Sequence, residues 1–567
     1  MYADIVVLTY QAPDIDYFTY KIPDNLKVKI GQLVEVPFGK RSPTGIVLST
    51  STEVRNSKLE IRNLKEVSKV ISSDPILLPY QVDLLRWMSN YYLATMVNCL
   101  EVMIPKIPPQ KARPFATDIP KLRPGLSHEP QSLILVPTIN RIPETLAKFP
   151  KAKNYAVYHN ELKPAGKFAT WMKILSDDAD YVFGSRSAIF SPCPNLKEII
   201  IYDEHDGAYK DERSPYFDTL TVAQKIAALT RAELKIVDPS PRITTYFALK
   251  SRIKIQNFSQ KTTVINMLNE RQSQRHSPIS FDLEEEIKNI LEKEGRVFLF
   301  LNKKKESGHM FCKACKNSEF LQKQPETCPN CNSADIFWNV LNIESLAAEV
   351  KKLFSKTQVN LIFQKQSAVS SQQLTIDIGT AYSLYAPLLK KYDLVAHIQT
   401  DSLINIVDFN SQEKLYSQIT TLKKLLKPTG KLFLQTYNPQ NPAIEFASNG
   451  NYGAFFTGEL SQRKQLFYPP FGMLFKLTVK GKNKQKILKE AENLASQLRS
   501  TINDSRLTIL GPYESVFVQK TPSCHIICKY SLKTYNLQER EKAVQYFKSI
   551  SSLPKNWQLV VEPDSIN

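Results

Sequence analysis

Two stretches of this chain, from Ser132 to about residue 250 and from Leu283 to about residue 440, alternate short apolar runs with helical patterning. Runs such as "SLILVPT" and "GRVFLFLN" suit buried strands, and the segments between them suit helices. That alternation demands an α/β architecture, built twice. One run, Ile199 to Tyr202, ends in the acidic cluster "DEHDGAYK". Carboxylates at the exit of a buried strand are one way to hold magnesium and activate water, so this is the first candidate site.

The rest of the 567 residues leaves room for further domains with cores of their own. Residues 1–105 carry short β-rich runs and then "PYQVDLLRWMSNYYLATMVNCLEVMIP", read as one helix stopped by Pro105. A small β-barrel-like domain with a helix is expected there. Residues 106–130 hold six prolines and read as a linker. The stretch from 455 mixes helices with strands such as "FKLTVKG" and "CHIICKY".

The 74 basic against 55 acidic residues give +19, which fits either a polyanion such as nucleic acid or a well-solvated lysine-rich surface. No apolar run approaches the roughly 18 residues of a spanning helix. "MYADIVVLTYQAPD" lacks the pattern of a signal peptide. A cytoplasmic, non-membrane protein is expected.

Four of the eight cysteines form two pairs, Cys312–Cys315 and Cys328–Cys331, with 12 residues between them. Two such pairs can chelate one Zn²⁺ tetrahedrally in a closed structural site. A redox dithiol is the alternative. Cys99, Cys193, Cys524 and Cys528 read as small buried hydrophobes.

Several segments carry a resemblance in a fixed order. "FTYKIP", "VEVPFGK", "GIVLS" and "LKEV" come first, followed by "FGSRSAIFSPCPNLKEIIIYDEHDGAYK", "GRVFLFLNKKK", the cysteine pairs, "LFLQTYNP", "LFYPPFG", "ILGP" and "VEPDSIN". Together they resemble primosomal protein N′ (PriA), the replication restart helicase family. The resemblance implies a 3′-DNA-end-binding domain over 1–105 and two RecA-like lobes over 131–257 and 258–454. It also implies a zinc-binding insertion over 308–336 and an α+β C-terminal domain over 455–567. It maps the 3′-end pocket onto Phe18, Thr19, Gly39 and Lys65. Phe18 would stack a base, Gly39 would admit a backbone, and Lys65 would meet a phosphate. Thr19 stands where the family commonly has an aspartate. Implied partners are forked DNA or a 3′ end, single-strand-binding protein and primosome proteins; a monomer is expected.

The same comparison exposes departures. The family's phosphate-binding loop should lie between 105 and 131, yet no Gly-Lys-Ser or Gly-Lys-Thr occurs anywhere. A winged helix, a first strand and that loop therefore read as deleted, leaving a truncated first lobe. The family's Asp-Glu-Glu-His reads Tyr202-Asp203-Glu204-His205 in a gapless alignment, which puts tyrosine at the metal-binding position; a one-residue slip would restore an Asp-Glu order. Asp203 and Glu204 are read as a solvated strand end without partners. The Ser-Ala-Thr coupling motif reads Asp238-Pro239-Ser240. The motif that supplies arginine fingers reads Gln418 to Leu425, with leucine at both arginine positions. Leu415, Ile419, Leu422 and Leu426 nevertheless keep one helical face, with Lys423, Lys424 and Lys427 on the others and Pro428 and Gly430 ending the helix. Without the loop and the arginines, ATP and magnesium lose their main ligands.

Three functions compete at this stage. One is a non-hydrolysing DNA-binding protein of replication restart. The second is an active 3′-to-5′ helicase with an atypical nucleotide site. The third is a structural protein that has left DNA.

Overall fold

A computed structural model describes residues 1–9, 16–53, 64–107, 130–255, 258, 260–275, 277–301, 308–321, 323–339, 341–362, 375–385, 391–404, 408–502, 504–515, 521–551 and 553–567. Most of the expected 106–130 linker lies outside these residues. The chain divides into two compact units, 1–254 with 463–567, and 255–462. The helix Tyr452–Gln465 spans the division at 462.

The first unit opens with a five-stranded antiparallel sheet. Its order is Phe18–Lys21, Tyr2–Val7, Thr44–Ser51, Leu33–Glu35, Lys69–Val70. Strand alternation sends Ala3, Ile5, Val7 and Tyr20 to one apolar cluster. Val6, Leu33, Ile46 and Leu48 face the helices that follow. The single helix expected here is two, Pro79–Tyr92 and Met96–Met103. Leu93 adopts left-handed φ of 50°, and Thr95 caps the second helix by accepting from the Asn98 N–H. A local cap outcompeted the continuous apolar periodicity.

The first α/β lobe is a six-stranded parallel sheet, ordered Ile253–Lys254, Glu233–Val237, Leu196–Tyr202, Gln131–Leu135, Tyr181–Gly184, Tyr155–Tyr158. Leu196–Tyr202 is hydrogen bonded on both sides, so the sheet has closed with no gap beside the acidic cluster. Residues 463–567 add a four-stranded antiparallel sheet, with the helices Lys484–Thr501 and Leu537–Ile550 contributing to its core. Phe475 and Phe547 stack there at 4.2 Å. One apolar core runs through all three segments of this unit.

The second unit is the second α/β lobe. Its parallel sheet runs Lys261–Asn266, Leu426–Thr436, Tyr392–His397, Val297–Phe300, Thr375–Gly379, Gln358–Ile362. The cysteine pairs sit on a separate three-stranded sheet of Ser318–Leu321, Gly308–Cys312 and Ile336–Asn339. The expected helix face is present in part: Ser411–Lys423 buries Leu415, Ile419 and Leu422. The helix stops sooner than expected, however. Leu426, Pro428 and Gly430 belong to the next strand, and Lys423 is buried.

Candidate functional site

At the exit of Leu196–Tyr202 the backbone turns sharply, with Asp203 at φ 53° and its N–H donating to the Val237 carbonyl at 3.0 Å. Tyr202 packs against the buried apolar cluster that includes Ile134, Ile142 and Ile200, and the Lys148 ammonium lies 5.1 Å from its ring centroid. Glu204 corrects the expectation of a solvated carboxylate: only 1% of it is exposed. It pairs with the Arg242 guanidinium and accepts from the Arg242 N–H at 3.1 Å and the Thr245 hydroxyl at 2.8 Å. Arg242 also reaches Asp218 at 2.8 Å. One cation thus serves two buried carboxylates. Burial pushes the Glu204 carboxyl up despite Arg242. Burial also opposes the Asp218 charge, but Arg242 and Lys210 override it and hold Asp218 below the usual carboxylate range.

His205 is held just as firmly. Its N–H donates to Asp238 at 2.9 Å, and its Nδ1 lies 2.8 Å from the same carboxylate. Asp238 also accepts from the Ser240 N–H at 2.7 Å. His205 and the Asp238–Ser240 turn are therefore bound to each other. Sequence reasoning missed Arg242 and Asp218. The available signal was an arginine directly after the apolar-flanked "VDPSP" turn.

In the second lobe, the helix at the arginine-finger position ends with Lys423 turned inward. Its Nζ donates to the carbonyls of Ala447 and Ser448 at 2.7 and 3.0 Å, and burial lowers it to about 8. This cation closes the end of the helix Pro442–Asn449, whose carbonyls attract positive charge.

The four cysteines converge. All four sulfurs lie within 4.8 Å of one another. Cys312 and Cys331 are 3.5 Å apart, and Cys315 and Cys328 are 3.6 Å apart. A tetrahedron with Zn–S bonds of ~2.3 Å has edges of about 3.8 Å. The two halves repeat one turn. The Cys312 N–H donates to Asn317 and the Cys328 N–H to Ser333, each at 2.8 Å, with Lys316 and Asn332 at positive φ. The Asn330 amide and then the Asn317 N–H hold the Cys315 thiol down to about 6. The cluster could hold a metal ion, with all four sulfurs as ligands.

The N-terminal pocket residues are only partly gathered. The Phe18 ring meets Phe38 edge-on at 5.1 Å, and Gly39 follows Phe38 in the hairpin closed by Phe38 and Arg41. Gly39 has φ +60° and open space where a side chain would stand. Lys65 is exposed, and its carbonyl accepts from the Lys21 N–H. That places it about 10 Å along the strand from Phe18. Thr19 points to the other face, donating to Asp4 at 2.8 Å, and Ser49 donates to the same carboxylate. Asp4 was not foreseen, although a lone acid in "YADIVV" is a signal.

The comparisons agree with this architecture. Residues 6–105 match the family model described as 3′DNA-binding domain (3′BD). Replication restart protein PriA of Bacillus subtilis is 25% identical over 471 positions, 74% of this chain and 58% of that protein. PriA of Thermotoga maritima is 26% identical over 429 positions, 67% and 57% respectively. The chain thus spans little over half the length of these two relatives. PriA of Rickettsia felis is 24% identical over 643 positions, 96% of this chain and 97% of that protein. Among solved structures, Mycobacterium smegmatis helicase Lhr bound to ssDNA and AMP-PNP superposes loosely, with a TM-score of 0.33 at 10% identity over 57% of this chain and 43% of that one.

Two parallel-sheet lobes, a β-rich region matching the 3′-DNA-binding family model and a four-cysteine insertion define a multidomain α/β protein. In sequence, the chain is similar to replication restart protein PriA. Among the described residues no helix is long and apolar enough to cross a membrane.

Proposed function

We propose that this protein recognises branched DNA or 3′ ends in replication restart and does not hydrolyse ATP. The observation that carries the reading is the buried Glu204–Arg242–Asp218 cluster, joined to His205–Asp238, at the exit of the strand where hydrolysis chemistry would sit. A carboxylate satisfied by an internal arginine and a threonine is a poor ligand for magnesium or water. The absence of a Gly-Lys-Ser/Thr loop supports the same conclusion. The family match over residues 6–105 supports DNA binding, and Phe18 with Gly39 supplies a ring beside open space. The four cysteines suit structural zinc. The partners are forked DNA and, by family resemblance, single-strand-binding and primosome proteins. The domain divisions follow the family plan: 1–105, 106–130, 131–257, 258–454 with the insertion 308–336, and 455–567.

Phe18→Ala should weaken binding to a free 3′ end by about 1–3 kcal/mol through lost stacking. An unchanged affinity in a labelled-oligonucleotide titration would remove Phe18 from the pocket. On duplex DNA, log K should fall with log salt by about 0.9 per neutralised phosphate. Binding too weak to yield a slope would favour the structural protein that has left DNA.

A further inference from the structure

An apolar turn on the surface of the first unit belongs to none of the sites described so far. Leu466 and Phe467 follow directly on the helix Tyr452–Gln465 and are 57% and 56% exposed. The turn closes the helix end as a Schellman motif. The Phe467 N–H donates to the Lys464 carbonyl at 3.4 Å, and the Tyr468 N–H donates to the Arg463 carbonyl at 2.9 Å. Phe467 takes the left-handed position, with φ 52°. Glycine usually stands there, because any other side chain is strained in that region. This chain instead carries a large aromatic side chain at the position and exposes it.

The turn is braced from behind. The Lys529 Nζ donates to the Leu466 carbonyl at 2.8 Å and lies 4.0 Å from the Tyr468 ring centroid. Gly472 passes so close that a side chain on it would stand 2.4 Å from the Phe467 carbonyl. Pro469 and Pro470 restrict the chain beyond Tyr468. Phe471 then packs on Phe247, with ring centroids 5.7 Å apart. Leu466 and Phe467 therefore project from a fixed backbone.

The charges along this surface have one sign. Residues 242–254, which include Phe247, and residues 463–480 together hold eight lysines and arginines and no aspartate or glutamate. Lys250, Arg252, Lys254 and Lys464 are exposed. A matching ligand brings negative charge and an apolar face. An acidic amphipathic peptide docks into a groove, whereas this surface offers a protruding pair of side chains. The end face of a base pair, flanked by its phosphates, supplies both features.

We propose that Leu466 and Phe467 form a wedge that stacks on the base pair exposed where a DNA duplex branches, with Lys464 and the cations beside Phe247 meeting its phosphates. Leucine and phenylalanine insert against base steps in this way. The inference rests on the DNA-binding reading and adds to it the part that tells a branch from a continuous duplex. It needs no strand end, so it is separate from Phe18.

The test uses two covalently closed DNAs without strand ends, each titrated against the full chain. One is a three-way junction with looped arms, and the other is a looped linear duplex of the same length. The wild type should bind the junction about tenfold more tightly than the linear form, the scale of one stacked aromatic. Phe467→Gly suits the left-handed φ, so it should leave the melting temperature unchanged while removing most of that preference. Leu466→Ser should reduce the preference, and Phe467→Trp should retain it. Lys464→Glu should weaken binding of both DNAs and lower the log–log salt slope by about 0.9. Phe18→Ala should leave the preference intact. Equal binding of the two DNAs by the wild type would overturn the wedge, and binding to an open fork would then leave the DNA-binding reading standing. A preference that survives Phe467→Gly combined with Leu466→Ser would also overturn it and turn the surface over to a protein partner. Failure of the wild type to bind any DNA, open forks included, would remove the DNA-binding reading and the wedge with it.

Discussion

At the scale of single residues, the acidic strand exit is held by ion pairs from within the chain. Arg242 holds Glu204 and Asp218 together in a buried site. Arg242→Met should cost about 3–5 kcal/mol, because it leaves two buried carboxylates uncompensated. Denaturant unfolding of the variant would measure this. A double change to Arg242→Met with Glu204→Gln should recover part of the loss. The lack of a Gly-Lys-Ser or Gly-Lys-Thr and the leucines at Leu422 and Leu425 were visible in the sequence, since those are matters of residue identity. It did not reveal that Glu204 is buried, because burial depends on Arg242, 38 positions away. Thr19 likewise looked like a weakened ligand, but its hydroxyl is committed to Asp4 across the strand pair.

At the scale of elements, the strand Tyr392–His397 carries a fully buried histidine with neither ring nitrogen partnered. Burial lowers His397 from 6.5 to about 3. The unfolded chain therefore binds a proton that the folded lobe refuses. Stability is complete above pH 6.5 and falls as the pH drops toward 3, by on the order of 1 kcal/mol per pH unit. His397→Val should flatten this dependence between pH 6.5 and 5 in denaturant titrations, and an unchanged slope would show that other groups dominate. The four-cysteine knuckle was the most legible element, because the spacing of the pairs alone brings the sulfurs within reach. Cys328→Ser should release the metal and loosen the knuckle while leaving both parallel sheets folded, as metal analysis and circular dichroism can establish. The helix Ser411–Lys423 was legible along its apolar face but not at its end, where Lys423 is drawn into the carbonyls of a neighbouring helix.

At the scale of the whole molecule, the alternation of apolar runs anticipated both α/β lobes. It could not anticipate that the N-terminal domain, the first lobe and residues 463–567 share one core. That union depends on long-range contacts. Glu562 receives Arg540 at 3.0 Å, Tyr91 at 2.9 Å and Tyr535 at 3.1 Å, while the Lys210 Nζ donates to its carbonyl at 2.8 Å. Arg540 also reaches Gln224 at 2.6 Å. Glu562→Ala should therefore destabilise all three segments together by about 3–5 kcal/mol, since it strands a buried arginine. Hydrogen exchange that rises only in residues 463–567 would contradict this.

The central claim is that a helicase architecture persists here for DNA recognition after its hydrolytic chemistry has gone. The most direct test is ATP hydrolysis by the zinc-loaded protein with and without forked DNA bearing a 3′ end, with DNA binding followed in parallel. The account predicts tight fork binding and no hydrolysis above the protein-free rate. Hydrolysis stimulated by forked DNA and lost in Glu204→Gln would contradict it.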